Sequence, residues 1–360
     1  MTAKNRWIAL AAILLVAVVG AAWLARESTS GPEPAAGVAT PGPVEWKYSV
    51  WGPPRAFTAG IERVKAILEE AGAGEFEFNI HYAGALSPAK EHLDAIKFGL
   101  LEGAHVCVAY TPAKIPLANV LELPFLLTED MEVNARVTDA FFRHPVMERE
   151  LAEKWNVKYI LPAVLPTFEF MGNVRIASVD DLAGRRLRIP GSISLVFKRA
   201  GGVPVMVTAP ETYTALDRGT VDMVLFPWSD SFGAFRLHEV SHYATAGLRA
   251  AIGGCITGFS LDAWNALPER IRALLPRLRE EGMQAYFDAY AAGDRKWVPI
   301  FQERLEIVPF PRGERDKLVA LSKPIWAEWT ADMDARGLPG TEMLAFVQAQ
   351  IAIFQRELRK

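Results

Sequence analysis

Short strand-like segments alternate with amphipathic helical segments along this chain, and the order occurs in two halves. In the first half, strand patterns at 44–50, 76–82 and 104–110 are separated by helical patterns at 56–72 and 87–99. The second half repeats the order, with strand patterns at 157–164, 185–191, 203–208 and 220–226. This alternation predicts α/β domains with largely parallel sheets, because parallel neighbours need a crossover between them. A further strand-like run at 248–264 is long enough to cross between two such domains.

Length and charge limit the class of protein. A chain of 360 residues can form two domains, each with its own core. The net charge is −3, from 39 Lys and Arg against 42 Asp and Glu. This balance argues against nucleic acid and against an anionic lipid surface as the partner.

The N-terminus carries the features of an export signal. Lys4 and Arg6 precede an uninterrupted apolar run at 7–25, which is typical of a signal peptide or an uncleaved membrane anchor. Both interpretations place the body outside the cytoplasm, because the positive end stays inside. Residues 26–43 are rich in Pro, Gly, Ser and Ala and are expected to form a disordered linker. We therefore expect a periplasmic protein, either released or tethered by its N-terminal helix.

Two exported α/β domains joined by crossing strands are typical of a hinged binding protein. In such folds the ligand lies at the carboxyl ends of the strands, between two lobes that close on it.

Residues 181–223 carry many fixed positions that point to one family. A D-L-x-G turn at 181–184 precedes the segments Arg188-Ile189-Pro190 and Gly202-Val203-Pro204. A helix and a strand then supply Glu211, Tyr213, Ala215, Leu216, Gly219, Val221 and Asp222. This pattern resembles the substrate-binding subunits of tripartite ATP-independent periplasmic (TRAP) transporters of the dicarboxylate-binding (DctP) type.

The resemblance implies an α/β fold with two lobes, crossing strands and a long helix that spans both lobes. The first lobe is expected to contain residues 44–172 and 252–291. The second is expected to contain residues 173–251 and 292–360.

The resemblance also assigns two arginines. Arg188 corresponds to the arginine that holds the ligand carboxylate, and a guanidinium suits this role because it is always charged and forms two parallel bonds to a carboxylate. The alternative is a solvated charge on a strand, as for Arg185 and Arg186. Arg175 matches a second arginine that some relatives use at the ligand or at the lobe edge.

The other ligand-binding residues are expected at the ends of strands, and most of them are aromatic. They are Trp51, Tyr110, Phe168, Glu169, Phe226 and Trp228. Each aromatic ring could instead pack in the core. As a set, they predict an apolar or aromatic monocarboxylate rather than a sugar acid.

One departure from the family bears on metals and cofactors. Relatives that hold a keto or hydroxy acid through a metal ion often have a Glu followed by an aromatic residue at the positions of Leu225 and Phe226. Leucine offers no oxygen to a hard cation. We therefore expect no metal at the ligand and no cofactor.

A different class of function is raised by His238, Glu239 and His242, which fit the H-E-x-x-H pattern of zinc hydrolases. Thr245 stands where the extended pattern has glycine, and the resemblance places this stretch at a helix end remote from the cleft. Two surface or capping histidines are the simpler interpretation.

The two cysteines, Cys107 and Cys255, both lie in strand-like apolar runs. Buried free thiols are the default expectation for such positions. A disulfide is the alternative in an exported chain, if the crossing strand lies beside the third strand as in the family.

Together these features predict a solute-binding protein that captures an organic carboxylate and delivers it to membrane permease subunits without breaking a covalent bond. A zinc-dependent hydrolase and a periplasmic sensory receptor are the alternatives.

Overall fold

The computed structural model describes residues 43–359, so the predicted export signal and nearly all of the predicted linker lie outside it. The strands, in chain order, are β1 (Val44–Ser49), β2 (Phe76–His81), β3 (Gly103–Cys107), β4 (Val157–Pro162), β5 (Phe168–Gly172), β6 (Arg186–Arg188), β7 (Val203–Val205), β8 (Met223–Pro227), β9 (Tyr243–Ala246), β10 (Cys255–Ser260) and β11 (Glu306–Pro309).

The α-helices, in chain order, are α1 (Ala59–Gly72), α2 (His92–Lys97), α3 (Met131–Phe142), α4 (Pro145–Arg149), α5 (Ser194–Arg199), α6 (Thr212–Asp217), α7 (Asp230–Ala234), α8 (Leu261–Ala266), α9 (Glu269–Arg272), α10 (Leu275–Arg304), α11 (Arg312–Ala335) and α12 (Gly340–Glu357). In this described part of the chain, none of the helices is long and apolar enough to cross a membrane.

The first sheet has the strand order β2-β1-β3-β10-β4. Its strands β1, β2 and β3 are parallel, while β10 runs antiparallel to both of its neighbours. The predicted alternation of β1 is confirmed, since Trp46 and Tyr48 are buried and Lys47 between them is exposed. Their rings pack against Phe78 and Phe259, which makes one aromatic core beneath the sheet.

The second sheet has the strand order β11-β9-β5-β8-β6-β7. Strand β5 runs antiparallel to β8 and β9, and the other pairs are parallel. A capping box forms between Thr208 and Glu211 before α6, because each side chain accepts the backbone N–H of the other residue. It fixes the turn that follows β7.

Two chain segments and one helix connect the sheets. The chain leaves β4 and enters β5, and it returns between Ala250, which pairs with Phe168, and β10. Helix α10 is 30 residues long, packs on α1 and β4, and reaches α7 and β11. The predicted two-lobe fold, with crossing strands and a lobe-spanning helix, is therefore confirmed.

The expected lobe boundaries stay a prediction. The expected bounds put strand β5 in the first lobe, but β5 pairs within the second sheet. They put helices α11 and α12 in the second lobe. Helix α11 packs on α5 of that lobe, whereas α12 packs on α3, which lies within the residues expected for the first lobe.

The cysteines differ from the default expectation. Cys107 and Cys255 face each other in the antiparallel pair β3–β10, with Cα atoms 4.0 Å apart, and they form a disulfide. The expectation of free thiols is wrong because β10 inserts beside β3 in a register that places the two cysteines directly opposite each other. The bond closes a loop between positions that are 148 residues apart.

Removing this bond is expected to destabilise the protein. Cross-links over long loops stabilise mainly by restricting the unfolded chain, so Cys107→Ser with Cys255→Ser should lose about 2–4 kcal/mol of unfolding free energy. Chemical denaturation of the oxidised wild type and the double variant measures the difference. Free thiols in the unfolded, unreduced wild type would contradict the disulfide itself.

Candidate ligand-binding site

A cleft lies between the two sheets and is lined by residues from both lobes. Its cavity volume is about 50 Å³, so the cleft is narrow in this structure. From the first lobe it is lined by Trp51, Arg55, Phe57, Ala109 and Tyr110, and from the second by Phe168, Arg188, Pro190, Phe226, Ser231 and Phe235. Cys107 and Cys255 also contribute to its wall, so the disulfide borders the cleft.

Arg188 ends strand β6 and is only 2% exposed. Its Nε donates to the carbonyl of Val207 at 2.8 Å, and its Nη1 donates to the carbonyl of Leu225 at 3.2 Å. The guanidinium lies over the ring of Phe226, with its carbon 4.9 Å from the ring centre. Its Nη2 also lies 3.5 Å from the Tyr110 hydroxyl, so these contacts use three of the five N–H groups and leave one on each of Nη1 and Nη2 to bind an anion.

Arg188 forms no salt bridge within residues 43–359, and the cleft is lined by no Asp or Glu. Burial lowers the pKa of its guanidinium from the ordinary value, and the nearby Tyr110 and the charge of Glu211 offset part of this effect. A buried unpaired cation is costly, so this edge of the cleft favours an anionic ligand.

Arg55 is a second cation in the cleft, and it is not among the ligand-binding residues predicted from the sequence. Its Nη1 donates to the carbonyls of Trp51 at 3.0 Å and Pro53 at 2.8 Å. The guanidinium carbon lies 4.8 Å from the ring centre of Phe57 and 5.1 Å from that of Phe235. The Gly-Pro-Pro sequence before Arg55 indicates a loop at the end of a strand, where ligand-binding residues often lie. No other sequence feature pointed to Arg55.

Five of the eight predicted ligand-binding residues line this cleft. They are Trp51, Tyr110, Phe168, Arg188 and Phe226. Tyr110 also connects the lobes, because its hydroxyl accepts the Ala209 N–H at 3.2 Å and lies 3.5 Å from Nη2 of Arg188.

The other three lie elsewhere. Glu169 is buried on the opposite face of β5 from Phe168, where it accepts the Thr245 hydroxyl at 2.6 Å and three backbone N–H groups of the loop 247–249. Burial raises the pKa of this carboxyl, and the four donors oppose the shift. Glu169 thus organises a loop of the second lobe.

Arg175 and Trp228 are also outside the cleft wall. Arg175 is exposed and pairs with Glu306, with its Nε 2.8 Å from Oε1. Trp228 turns toward α10, where its ring packs against Phe301, and it also contacts Phe232 of α7. It therefore belongs to the core between the second sheet and the long helix.

The H-E-x-x-H segment lacks the helix that zinc hydrolysis requires. Leu237–Glu239 is a single 3₁₀ turn. His238 is buried against Trp297 and Phe301, His242 is exposed, and Glu239 forms an ion pair with Arg236 at 2.8 Å. The two histidines do not share one helix face, so the geometry expected for a zinc hydrolase is not formed here. The surface interpretation holds for His242 but is wrong for His238.

A second contact between the lobes lies beside Arg55. Asp230, at the start of α7, accepts the backbone N–H of Ala56 at 2.8 Å, where the helical region leading into α1 begins. Burial raises the pKa of Asp230, and this hydrogen bond and Arg55 oppose the shift.

A buried carboxyl lies against the cleft wall. Glu122 has no exposed surface, and neither of its oxygens has a hydrogen-bond partner among the residues that the structure describes. It abuts Gly191, three residues after Arg188, where a Cβ atom would lie 2.2 Å from Oε2 and where φ is +64°. Only glycine fits this position, and burial raises the pKa of Glu122 well above its ordinary value.

The fold and the site define a two-lobe solute-binding protein. A family model described as bacterial extracellular solute-binding protein, family 7, matches residues 49–332. The chain belongs to this family, and the resemblance to the substrate-binding subunits of TRAP transporters is confirmed.

Relatives and solved structures agree with this assignment. The monocarboxylate 2-oxoacid-binding periplasmic protein of a Nostoc species is 27% identical over 290 residues, which cover 73% of this chain and 76% of the relative. A TRAP solute-binding protein from Rhodoferax ferrireducens, in complex with copurified benzoate, has a TM-score of 0.77 at 20% identity and covers 88% of this chain and 99% of its own. A marine metagenome TRAP protein specific for aromatic acid ligands has a TM-score of 0.75 at 20% identity, with coverages of 86% and 98%.

Glu122 generates a prediction about stability and pH. Because its folded pKa is raised, the unfolded chain ionises first, and the wild type loses stability as pH rises from about 4.5 toward the folded pKa. Glu122→Gln should therefore be more stable than the wild type at pH 8, by at least about 1 kcal/mol, and the difference should shrink toward pH 4. Thermal unfolding across this range measures it, with the exposed Glu153→Gln as the matched control. A gain that is the same at every pH would refute the assignment.

Proposed function

We propose that this protein binds an organic carboxylate in the cleft and that Arg188 is the cation that holds it. The observation that carries the proposal is the buried guanidinium of Arg188, which lines the cleft and forms no salt bridge within the described chain. A carboxylate on its free edge forms two charge-assisted hydrogen bonds and supplies the missing negative charge. The hydroxyl of Tyr110 lies within reach of the same edge.

We further propose that the bound acid is an apolar or aromatic monocarboxylate. Apart from its two arginines, the cleft is walled mainly by rings and aliphatic groups, including Trp51, Phe57, Phe168, Phe226 and Phe235. Such walls favour flat apolar bodies over sugars, whose hydroxyls would need many polar partners. The names of the relatives, a binder of monocarboxylate 2-oxoacids and binders of benzoate or aromatic acids, support this class.

We also propose that the protein works outside the cytoplasm, exported or tethered by residues 1–25, and releases the acid unchanged to membrane permease subunits. Support comes from membership of an extracellular solute-binding family and from the apolar run behind Lys4 and Arg6.

Arg188→Ala should lose carboxylate binding while the protein stays folded. Removing one partner of a buried charge pair costs about 2 kcal/mol or more, which corresponds to at least a roughly 30-fold weaker affinity. Arg188→Lys should recover little of the lost affinity, because an ammonium group cannot form the two parallel bonds that a guanidinium forms with a carboxylate. Calorimetry with benzoate and phenylacetate, and with any acid that native mass spectrometry finds carried over, measures the effect.

Arg186→Ala is the matched control, since Arg186 lies on the same strand but is exposed and pairs with Asp222. Its affinities should equal those of the wild type. Unchanged affinity in both Arg188 variants would remove Arg188 from the site.

The ligand class has its own test. In thermal-shift measurements, benzoate and phenylacetate should raise the unfolding temperature at millimolar concentration. Succinate and galacturonate should not, because succinate lacks a flat apolar body for the ring-lined walls and the hydroxyls of galacturonate would need many polar partners. Stabilisation by the polar acids alone would overturn the aromatic assignment but leave the carboxylate site intact.

A further inference from the structure

Arg55 stands out in the cleft because its hydrogen-bonding capacity is only partly used. The carbonyls of Trp51 and Pro53 occupy its Nη1 group. Its Nε is buried and has no partner among the residues that the structure describes. The Nε/Nη2 edge of a guanidinium is one of the edges on which a carboxylate or another oxygen acceptor is bound.

The surrounding protein does not supply that acceptor. In the described part of the chain Arg55 forms no salt bridge, and the cleft is lined by no acidic residue. Asp230 acts on Arg55 through its charge, but its Oδ2 accepts the N–H of Ala56. Rings of both lobes, Phe57 and Phe235, lie against the guanidinium, so water has limited access to it.

The positions of the two arginines also matter. Arg55 follows β1 in the first lobe, and Arg188 ends β6 in the second, yet both line the same cleft. A simple monocarboxylate on Arg188 would leave the Arg55 edge unmatched. An acid with a second oxygen acceptor at its other end would engage both lobes at once.

We propose that Arg55 is a specificity-determining residue that donates to a second oxygen of the ligand. The acid would then carry a hydroxyl or carbonyl oxygen on its apolar or aromatic body, away from the carboxylate on Arg188. This inference rests on the proposed function and narrows it, because it separates substituted acids from the plain parent acid.

The test compares matched ligands rather than absolute affinities. Benzoate and its three hydroxylated isomers are titrated calorimetrically into the wild type, Arg55→Met and Arg55→Lys. In the wild type at least one hydroxylated acid should bind about 10-fold or more tightly than benzoate. In Arg55→Met this ratio should fall to near one, and Arg55→Lys should keep part of it.

Arg63→Met is the control, because Arg63 lies on α1 outside the cleft and pairs with Glu281. Its ratio should equal that of the wild type.

Three results would overturn the proposal. If Arg55 only holds its own loop in place, Arg55→Met weakens the binding of every acid by the same factor, and the affinity ratio between the substituted acids and benzoate is unchanged. A wild type that binds benzoate as tightly as every substituted acid would equally refute it. If the wild type binds none of these acids, the proposed binding of aromatic acids is wrong, and the inference about Arg55, which rests on it, is wrong as well.

Discussion

A cation held inside a water-poor cleft is the constraint around which the rest of this structure is arranged. Removing a guanidinium from water is costly, and the carbonyls of Val207 and Leu225 offset only part of that cost, since they are dipoles and not charges. The same carbonyls fix the plane of Arg188, so its free edge keeps one direction. A carboxylate arriving along that direction meets a donor pair that needs no reorganisation, which favours both affinity and orientation.

Holding Arg188 in place requires an unusual local backbone. The strand that ends at Arg188 turns at once through Gly191, where Glu122 leaves no room for a side chain. The disulfide Cys107–Cys255 borders the same cleft and joins β3 to the returning strand β10. Part of the cleft surroundings is therefore built from a covalent link and from tightly packed backbone.

Most of the strands and helices, the two lobes and the long helix could be predicted because they depend on periodicity and on a motif of forty residues. Strands β5 and β9 were not predicted, and both belong to the second sheet. The burial of Trp46 and Tyr48 and the capping box at Thr208 and Glu211 are local properties of this kind. Phe168 and Glu169 were both predicted to bind the ligand, although neighbouring residues of a strand face opposite sides of the sheet. Both could not line one cleft.

Other features depend on contacts between distant parts of the chain. The disulfide requires the register between two strands 148 residues apart, and no local pattern contains that register. Arg55 lies in a loop without periodicity, and its place in the cleft depends on Phe235 of the other lobe, which packs against it. The motif therefore pointed to Arg188 in the cleft, whereas no local pattern pointed to Arg55.

The contacts between the lobes bear on how a carboxylate in the proposed site would favour their closure. The Ala209–Tyr110 hydrogen bond joins neutral groups and contributes about 1 kcal/mol, whereas the Ala56–Asp230 bond ends on a carboxylate and contributes about 1.5–3 kcal/mol. A carboxylate shared between Arg188 and Tyr110 adds charge-assisted bonds of about 1.5–3 kcal/mol each. A ligand shifts an equilibrium only by its difference in affinity for the two states. Because Tyr110 belongs to the first lobe and Arg188 to the second, that difference arises only when the lobes are together, and a neutral solute of the same shape would lack most of it.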